Sequence, residues 1–176
     1  MALRLYPFPA GSAGAVSGWA MTNEEVIMWC GHPGAPVPAE QISAWAREDG
    51  VEQFGLYRDE RLVAYGELWV DDAEAEVELA RLIVDPGERG QGLGQRLVTE
   101  LAGLARSRYS RVLLRVHPDN IAAQRCYAAA GFKPVEPHQA AEWNACQPVG
   151  YLWFSLVTKR IPAMPIIAAL ARSSPA

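Results

Sequence analysis

The spacing of apolar residues changes period along this chain, and the changes mark out its elements. From Thr22 to Glu48 the apolar positions recur at helical spacing: Val26, Ile27, Trp29 and Cys30, then Ile42, Trp45 and Ala46. Thr22-Asn23-Glu24-Glu25 reads as a helix start with acid in its first turn, and Gly31-His32-Pro33-Gly34 as its end. Pro38 to Glu48 forms a second short helix. The period then shortens to that of strands in Gln53–Arg58, Leu62–Val70 and Glu76–Val84, with turns at Asp59-Glu60 and Asp71-Asp72-Ala73. Tight turns between sequential strands predict an antiparallel meander. Gln95 to Arg108 returns to helical spacing, with Leu93, Leu97, Leu101 and Leu104 on one face.

Arg111–Val116 reads as a strand parallel to the one before that helix, giving one βαβ unit. Pro118-Asp119-Asn120 opens another helix, Gly131 closes it, Phe132 begins a strand, and Gly150–Thr158 is the last strand. Upstream, Leu3–Tyr6 reads as a short strand and the Gly- and Ser-rich stretch Gly11–Gly18 as a loop. The expected order is β, α, α, β, β, β, α, β, α, β, β. That order fits a mixed α/β fold whose sheet is antiparallel first and parallel at its centre.

Composition narrows the classes. Half of the 176 residues are hydrophobic and 20% are charged, as in a soluble globular domain. The net charge of −4 argues against a nucleic-acid partner. Cys30, Cys126 and Cys146 are scattered, with no zinc-site spacing, so free thiols in a reducing cytoplasm are expected. Met1–Pro7 lacks the build of a signal peptide, and no apolar run approaches the roughly 20 residues that span a bilayer. No repeat or interdomain linker divides the chain. Residues 1–160 are expected to form one domain, with 161–176 as a tail broken by Pro162 and Pro165.

The stretch Arg89-Gly90-Gln91-Gly92-Leu93-Gly94 carries the most chemistry. It joins the apolar run Leu79–Val84 to an amphipathic helix through three glycines. Such a loop can aim unpaired N–H groups at an anion, and the helix dipole favours negative charge there. A nucleotide P-loop is excluded, because no lysine follows Gly92. The dinucleotide fingerprint fails too, since its last glycine falls on Gln95 or Leu97.

Arg89-x-x-Gly92-x-Gly94 resembles the Q/R-x-x-G-x-G/A signature of the GCN5-related N-acetyltransferase superfamily. A second block, Asn120-x-x-Ala123-x-x-x-Tyr127-x-x-x-Gly131-Phe132, resembles the Asn…Tyr…Gly-Phe helix of the same superfamily. Together they cover Gln53 to Thr158. The resemblance implies an acyl-CoA N-acyltransferase fold of six to seven strands and about four helices. It implies acetyl-CoA as cosubstrate, no metal, and direct attack by a primary amine, on a small molecule or on a protein N-terminus or lysine. The competing class is a non-catalytic acyl-CoA-binding sensor or scaffold. A monomer or a homodimer is expected, with no membrane partner.

The cofactor-binding residues expected on this basis are Leu82, Ile83, Val84, Arg89, Gly90, Gln91, Gly92, Leu93, Gly94, Gln95, Asn120 and Tyr127. The loop can bind the diphosphate, with Arg89 adding a cation, and the edge Leu82-Ile83-Val84 can pair with the pantetheine amides. The resemblance further implies that the strand ending at Val84 and the strand from Arg111 splay apart. It implies an oxyanion donor among the backbone N–H groups near Ile83 or Val84.

Acyl transfer needs an acid and a base. The resemblance sets the Tyr127 phenol beside the CoA sulfur as the acid. Asn120 lies two helical turns before it on one side of the helix and can cap the helix or touch the cofactor. The resemblance implies Glu78 as the base, with Glu67 on the neighbouring strand, or a water chain with no single base, as alternatives. Strand alternation puts Glu76, Glu78, Ala80, Leu82 and Val84 on one face, where a carboxylate near an apolar sheet centre has a raised pKa. His117 and Arg125 read as structural and surface residues, and Trp19, Trp29, Trp45 and Trp143 as core or pocket walls. Cys126 points away from Tyr127 around the helix and is not read as a nucleophile.

Overall fold

The computed structural model describes residues 2–157. Seven strands form one mixed sheet: β1 (Leu3–Pro7), β2 (Val51–Arg58), β3 (Arg61–Asp71), β4 (Glu76–Val84), β5 (Arg111–Val116), β6 (Lys133–Pro134) and β7 (Leu152–Val157). Their order across the sheet is β1-β2-β3-β4-β5-β7-β6. Among the described residues only the β4–β5 pair is parallel; the meander and the C-terminal strands are antiparallel. Six helices accompany them: α1 (Ala13–Ser17), α2 (Asn23–Cys30), α3 (Ala39–Trp45), α4 (Leu93–Arg106), α5 (Ile121–Ala129) and α6 (Pro137–Asn144). The tail 161–176 lies outside the described residues.

Both sheet faces are covered. On one, Leu93, Leu97, Leu101 and Ala105 of α4 pack on Val63, Leu68, Leu79, Val112 and Leu114, and Tyr127 of α5 joins them. On the other, the short N-terminal helices bring Val16, Val26, Ile42 and Trp45 onto Tyr65 and Ile83. The helix ends follow local chemistry. Thr22 and Glu25 form a reciprocal capping box at the start of α2, and Gly31, with φ +69°, ends it. At the end of α5, Phe132 N–H donates to Tyr127 O at 3.1 Å and Gly131 N–H to Ala128 O at 3.0 Å. This is a Schellman closure with Gly131 at φ +92°.

Three expectations are corrected. Gly11–Gly18 is not a loop: Ala10–Ser12 forms a 3₁₀ turn and Ala13–Ser17 the helix α1. Ala13 and Val16 are buried in the second core, and that burial outweighs the poor helix propensity of glycine and serine. The stretch from Glu136 carries a helix, α6, so the described residues hold six α-helices where about four were expected. Pro137 occupies its first turn, a position that suits proline because no intrahelical N–H bond is lost there. The strand expected at Phe132 is reduced to the two residues of β6.

Candidate active site

The site is built on a break in the sheet. β4 pairs with β5 only through Glu76–Arg111, Val77–Val112 and Glu78–Leu113. β5 stays paired with β7 from Arg111 to Val116, and β4 stays paired with β3 to Val84. Beyond Glu78 the two central strands therefore diverge, which is the splay the resemblance implied.

A bulge in β4 accompanies the divergence. Tyr65 faces Ile83 and Glu67 faces Ala80, so Gly66 alone opposes both Arg81 and Leu82. Arg81 adopts φ +47°, a left-handed conformation that costs a side-chain-bearing residue about 1–2 kcal/mol. Its partners offset that cost. The guanidinium binds Glu67 at 3.0 Å and Glu48 at 3.1 Å and lies over the Trp45 and Trp69 rings at 4.0 and 4.7 Å. Its carbonyl oxygen accepts the Trp29 indole N–H at 2.8 Å.

The bulge reverses strand parity. Val77 and Leu79 face the α4 core before it, and Leu82 and Val84 pack against that core after it. The expectation of one continuous face from Glu76 to Val84 is therefore corrected: Glu78 lies on the opposite face from Leu82 and Val84, beside its register partner Trp69.

Glu78 pairs with Arg115 Nε at 3.0 Å. Burial pushes its carboxyl up to about 7, with Arg115 pulling the other way. Glu67 behaves differently. It is fully buried and accepts from Trp69 Nε1 at 2.7 Å, Gln53 Nε2 at 3.4 Å and the Tyr65 hydroxyl besides holding Arg81. Burial raises its pKa against the pull of Arg81. With those four donors around it, Glu67 anchors the bulge and does not line the open space beside Glu78.

Two cavities meet at Tyr127. The larger, about 630 Å³, runs between the free edge of β4 and α5 and is lined by Leu82, Ile83, Val84, Asn120, Ala123 and Tyr127. Its far end is the glycine loop: Arg89, Gly90, Gly92, Leu93, Gly94 and Gln95 line it. Gly90 and Gly92 have φ +78° and +76°, so the chain conformation calls for glycine there, although a Cβ at either would meet nothing within 4 Å. No side chain caps the start of α4, which leaves its first-turn N–H groups for an anion. The loop, the dipole and the cleft thus suit a diphosphate with a long arm. The smaller cavity, a slot of about 120 Å³, opens on the other side of Tyr127. It is lined by Glu78, Arg81, Arg115, Trp69 and Tyr151, with Ile27–Cys30 of α2 and its capping Gly31 above it. Trp29, Leu82 and Asn120 border both spaces.

Tyr127 is buried, its ring edge-on to Phe154 with centroids 6.3 Å apart. Burial raises the phenol pKa well above its ordinary value, with smaller contributions from Cys126 and from Glu78, so the group is a protonated donor at neutral pH. Asn120 Oδ1 accepts from Ala123 N–H at 3.1 Å and caps α5 while bordering both cavities. His117 accepts from Asp119 N–H at 3.3 Å.

Two side chains, Arg89 and Gln91, sit otherwise than expected. Arg89 is not a free cation over the loop. It donates to Glu25 at 2.9 Å, Trp19 O at 2.8 Å and Val84 O at 3.3 Å, fastening the start of α2 to the end of β4. The Gln91 side chain binds Arg58 at 3.1 Å and Glu88 at 3.1 Å and stays out of the cleft lining. Cys126 also borders the large cleft, where burial raises its thiol pKa, the opposite of an activated nucleophile. Sequence reasoning missed Arg81, Trp69, Arg115 and Tyr151. The strand pattern placed all four on strands, although Tyr151 lies just before β7, and it held no sign of the bulge that groups them.

Comparison with known proteins agrees with this architecture. Residues 19–132 match the Acetyltransferase (GNAT) family, so the chain belongs to that family. The mycothiol acetyltransferase of Beutenbergia cavernae is 41% identical over 81 residues, covering 46% of this chain and 27% of that protein. The N-alpha-acetyltransferase RimI of Mycobacterium tuberculosis is 42% identical over 60 residues, covering 34% of this chain and 37% of that protein. The chain therefore matches between 27% and 37% of the length of these curated relatives. Among solved structures, the aminoglycoside acetyltransferase AAC(6')-Ib in complex with coenzyme A superimposes with a TM-score of 0.68 at 17% identity, over 89% of this chain and 95% of that one. At that identity the likeness is one of fold.

Proposed function

We propose that this protein is an acetyl-CoA-dependent N-acetyltransferase that acetylates a primary amine by direct attack. The observation that carries the proposal is the meeting of the long cleft and the small slot at Tyr127, with Glu78 on the slot side and the uncapped glycine loop at the far end of the cleft. Acetyl-CoA supplies the activated acetyl group.

The residues divide the work. Gly90, Gly92 and the first turn of α4 hold the diphosphate, and the β4 edge from Leu82 to Val84 receives the pantetheine amides. Glu78 takes a proton from the incoming ammonium, leaving a neutral amine to form the new C–N bond. A backbone N–H near Ile83 or Val84 faces the charge that develops on the carbonyl oxygen. As the C–S bond breaks, Tyr127 gives its proton to the departing sulfur and recovers one from the amide nitrogen that forms. One proton is released per turnover, from Glu78. The three cysteines are unpaired, which fits a reducing, cytoplasmic setting.

The test is a thiol-release assay with a broad set of amines beside calorimetry with acetyl-CoA. The proposal expects binding and amine-dependent release of CoA. Binding with no turnover by any amine would favour the sensor reading instead.

A further inference from the structure

The charges lining the slot narrow the class of amine, given the acetyltransferase reading on which this step rests. The slot presents one carboxylate, Glu78, and two guanidiniums, Arg81 and Arg115. Arg81 is spent: its two η nitrogens go to Glu67 and Glu48. Arg115 is not. It touches Glu78 through Nε at 3.0 Å, and among the described residues no hydrogen bond engages its η nitrogens. Three rings, Trp69, Tyr151 and Trp153, surround this guanidinium at 5.3, 5.4 and 5.3 Å and fix its place. Asn144 of α6 holds two of them, receiving the Trp153 indole N–H at 3.0 Å and the Tyr151 backbone N–H at 3.2 Å.

A second cation would find no free carboxylate in this lining. A polyamine or an aminocyclitol sugar brings further ammonium groups that this lining would leave unpaired. The slot is small, about 120 Å³ beside the roughly 630 Å³ of the cleft. A carboxylate and a half-free guanidinium side by side mirror an ammonium and a carbonyl or carboxylate borne on one carbon. We infer that the acceptor is an α-amine with an adjacent C=O group, its nitrogen at Glu78 and its oxygen on the η nitrogens of Arg115. A free amino acid and a peptide N-terminus share that chemistry.

The experiment measures kcat/KM for CoA release by the full chain in three arms: the free amino acids, short peptides with a free N-terminus and an amidated end, and the polycations spermidine and kanamycin. Acetyl-CoA affinity is measured in parallel by calorimetry. An α-amine arm at least tenfold above both polycations supports the inference, and the better of the two α-amine arms identifies the source. Arg115→Gln should raise KM for the α-amine at least tenfold with a smaller change in kcat. Arg115→Lys, which keeps the charge but loses the fork, should fall between. Retained acetyl-CoA affinity shows that each variant is folded. Preference for a polycation, equal effects of Arg115→Gln on every arm, or no α-amine turnover with acetyl-CoA bound would each overturn the inference and leave acetyl-CoA binding standing. Absence of acetyl-CoA binding would overturn the acetyltransferase reading beneath it.

Discussion

Trp29 and Arg81 are joined across the two layers of the site: the indole N–H of α2 donates to the carbonyl oxygen of the left-handed residue in β4 at 2.8 Å. The bond fastens the helix above the smaller slot to the bulge beside the larger cleft. Trp29→Phe keeps a large ring and removes the donor. It should lower stability by about 1 kcal/mol, the usual net worth of such a bond. The variant should also lower kcat while leaving acetyl-CoA affinity near wild type. A denaturant melt and a titration check both parts.

Glu78 should set the pH dependence of the reaction. Its carboxyl is raised to about 7, so the base form accumulates as pH rises through 7 and kcat/KM should climb over that range. Glu78→Gln should lower activity and abolish this limb. Stability moves the other way. The folded state holds this proton up to about pH 7, while the unfolded chain releases it near an ordinary glutamate value. Stability from this group is therefore lost as pH rises from about 4.5 to 7. Glu78→Gln lacks that loss, so melting temperatures of the two proteins should diverge in favour of the variant across that window.

Tyr127→Phe separates an enzyme from a sensor. The ring still packs edge-on to Phe154, so the fold should persist. Turnover should fall about 10²- to 10⁴-fold, the range for losing a general acid, with acetyl-CoA still bound. Unchanged thiol release would remove Tyr127 from the mechanism.

Gly66 has a packing requirement and no unusual dihedral. A Cβ there would lie 2.6 Å from Leu82 Cδ2 and 2.9 Å from Leu101 Cδ1, because the bulge folds Leu82 back over the glycine. Gly66→Ala should cost about 1–3 kcal/mol as these leucines give way. Since Leu82 borders both cavities, acetyl-CoA binding should weaken with it. A variant as stable as wild type, with unaltered affinity, would contradict this account.

The legible parts of the chain were those with local signals. Asn120 and Gly131 bracket α5 by capping chemistry that acts within a few residues, and the three meander strands alternate visibly. Gly90 and Gly92 mark a loop whose positive φ angles glycine supplies. Arg81 carries no such mark. Its left-handed backbone is held by Glu67, Trp45 and Trp29, which come from elsewhere in the chain. The bulge, the reversal of faces in β4 and the grouping of Arg115 with Glu78 were therefore hidden. Gly11–Gly18 misled because its composition suggests a loop while Ala13 and Val16 are buried. At the start of α6 the signal is local: Pro137 follows Glu136 in the first turn, where proline fits a helix. The motif around Arg89 located the loop, and only the fold showed its guanidinium tied to Glu25.

The short β4–β5 seam has a mechanical consequence. Among the described residues, three residue pairs join the N-terminal meander to the C-terminal strands within the sheet, and α4 packs beneath both sides. The molecule is in effect two half-sheets on a common spine, parted like a wedge. A long ligand lodged in the wedge would act as a splint, stiffening the joint between the halves by mass action, and the empty protein would flex there first.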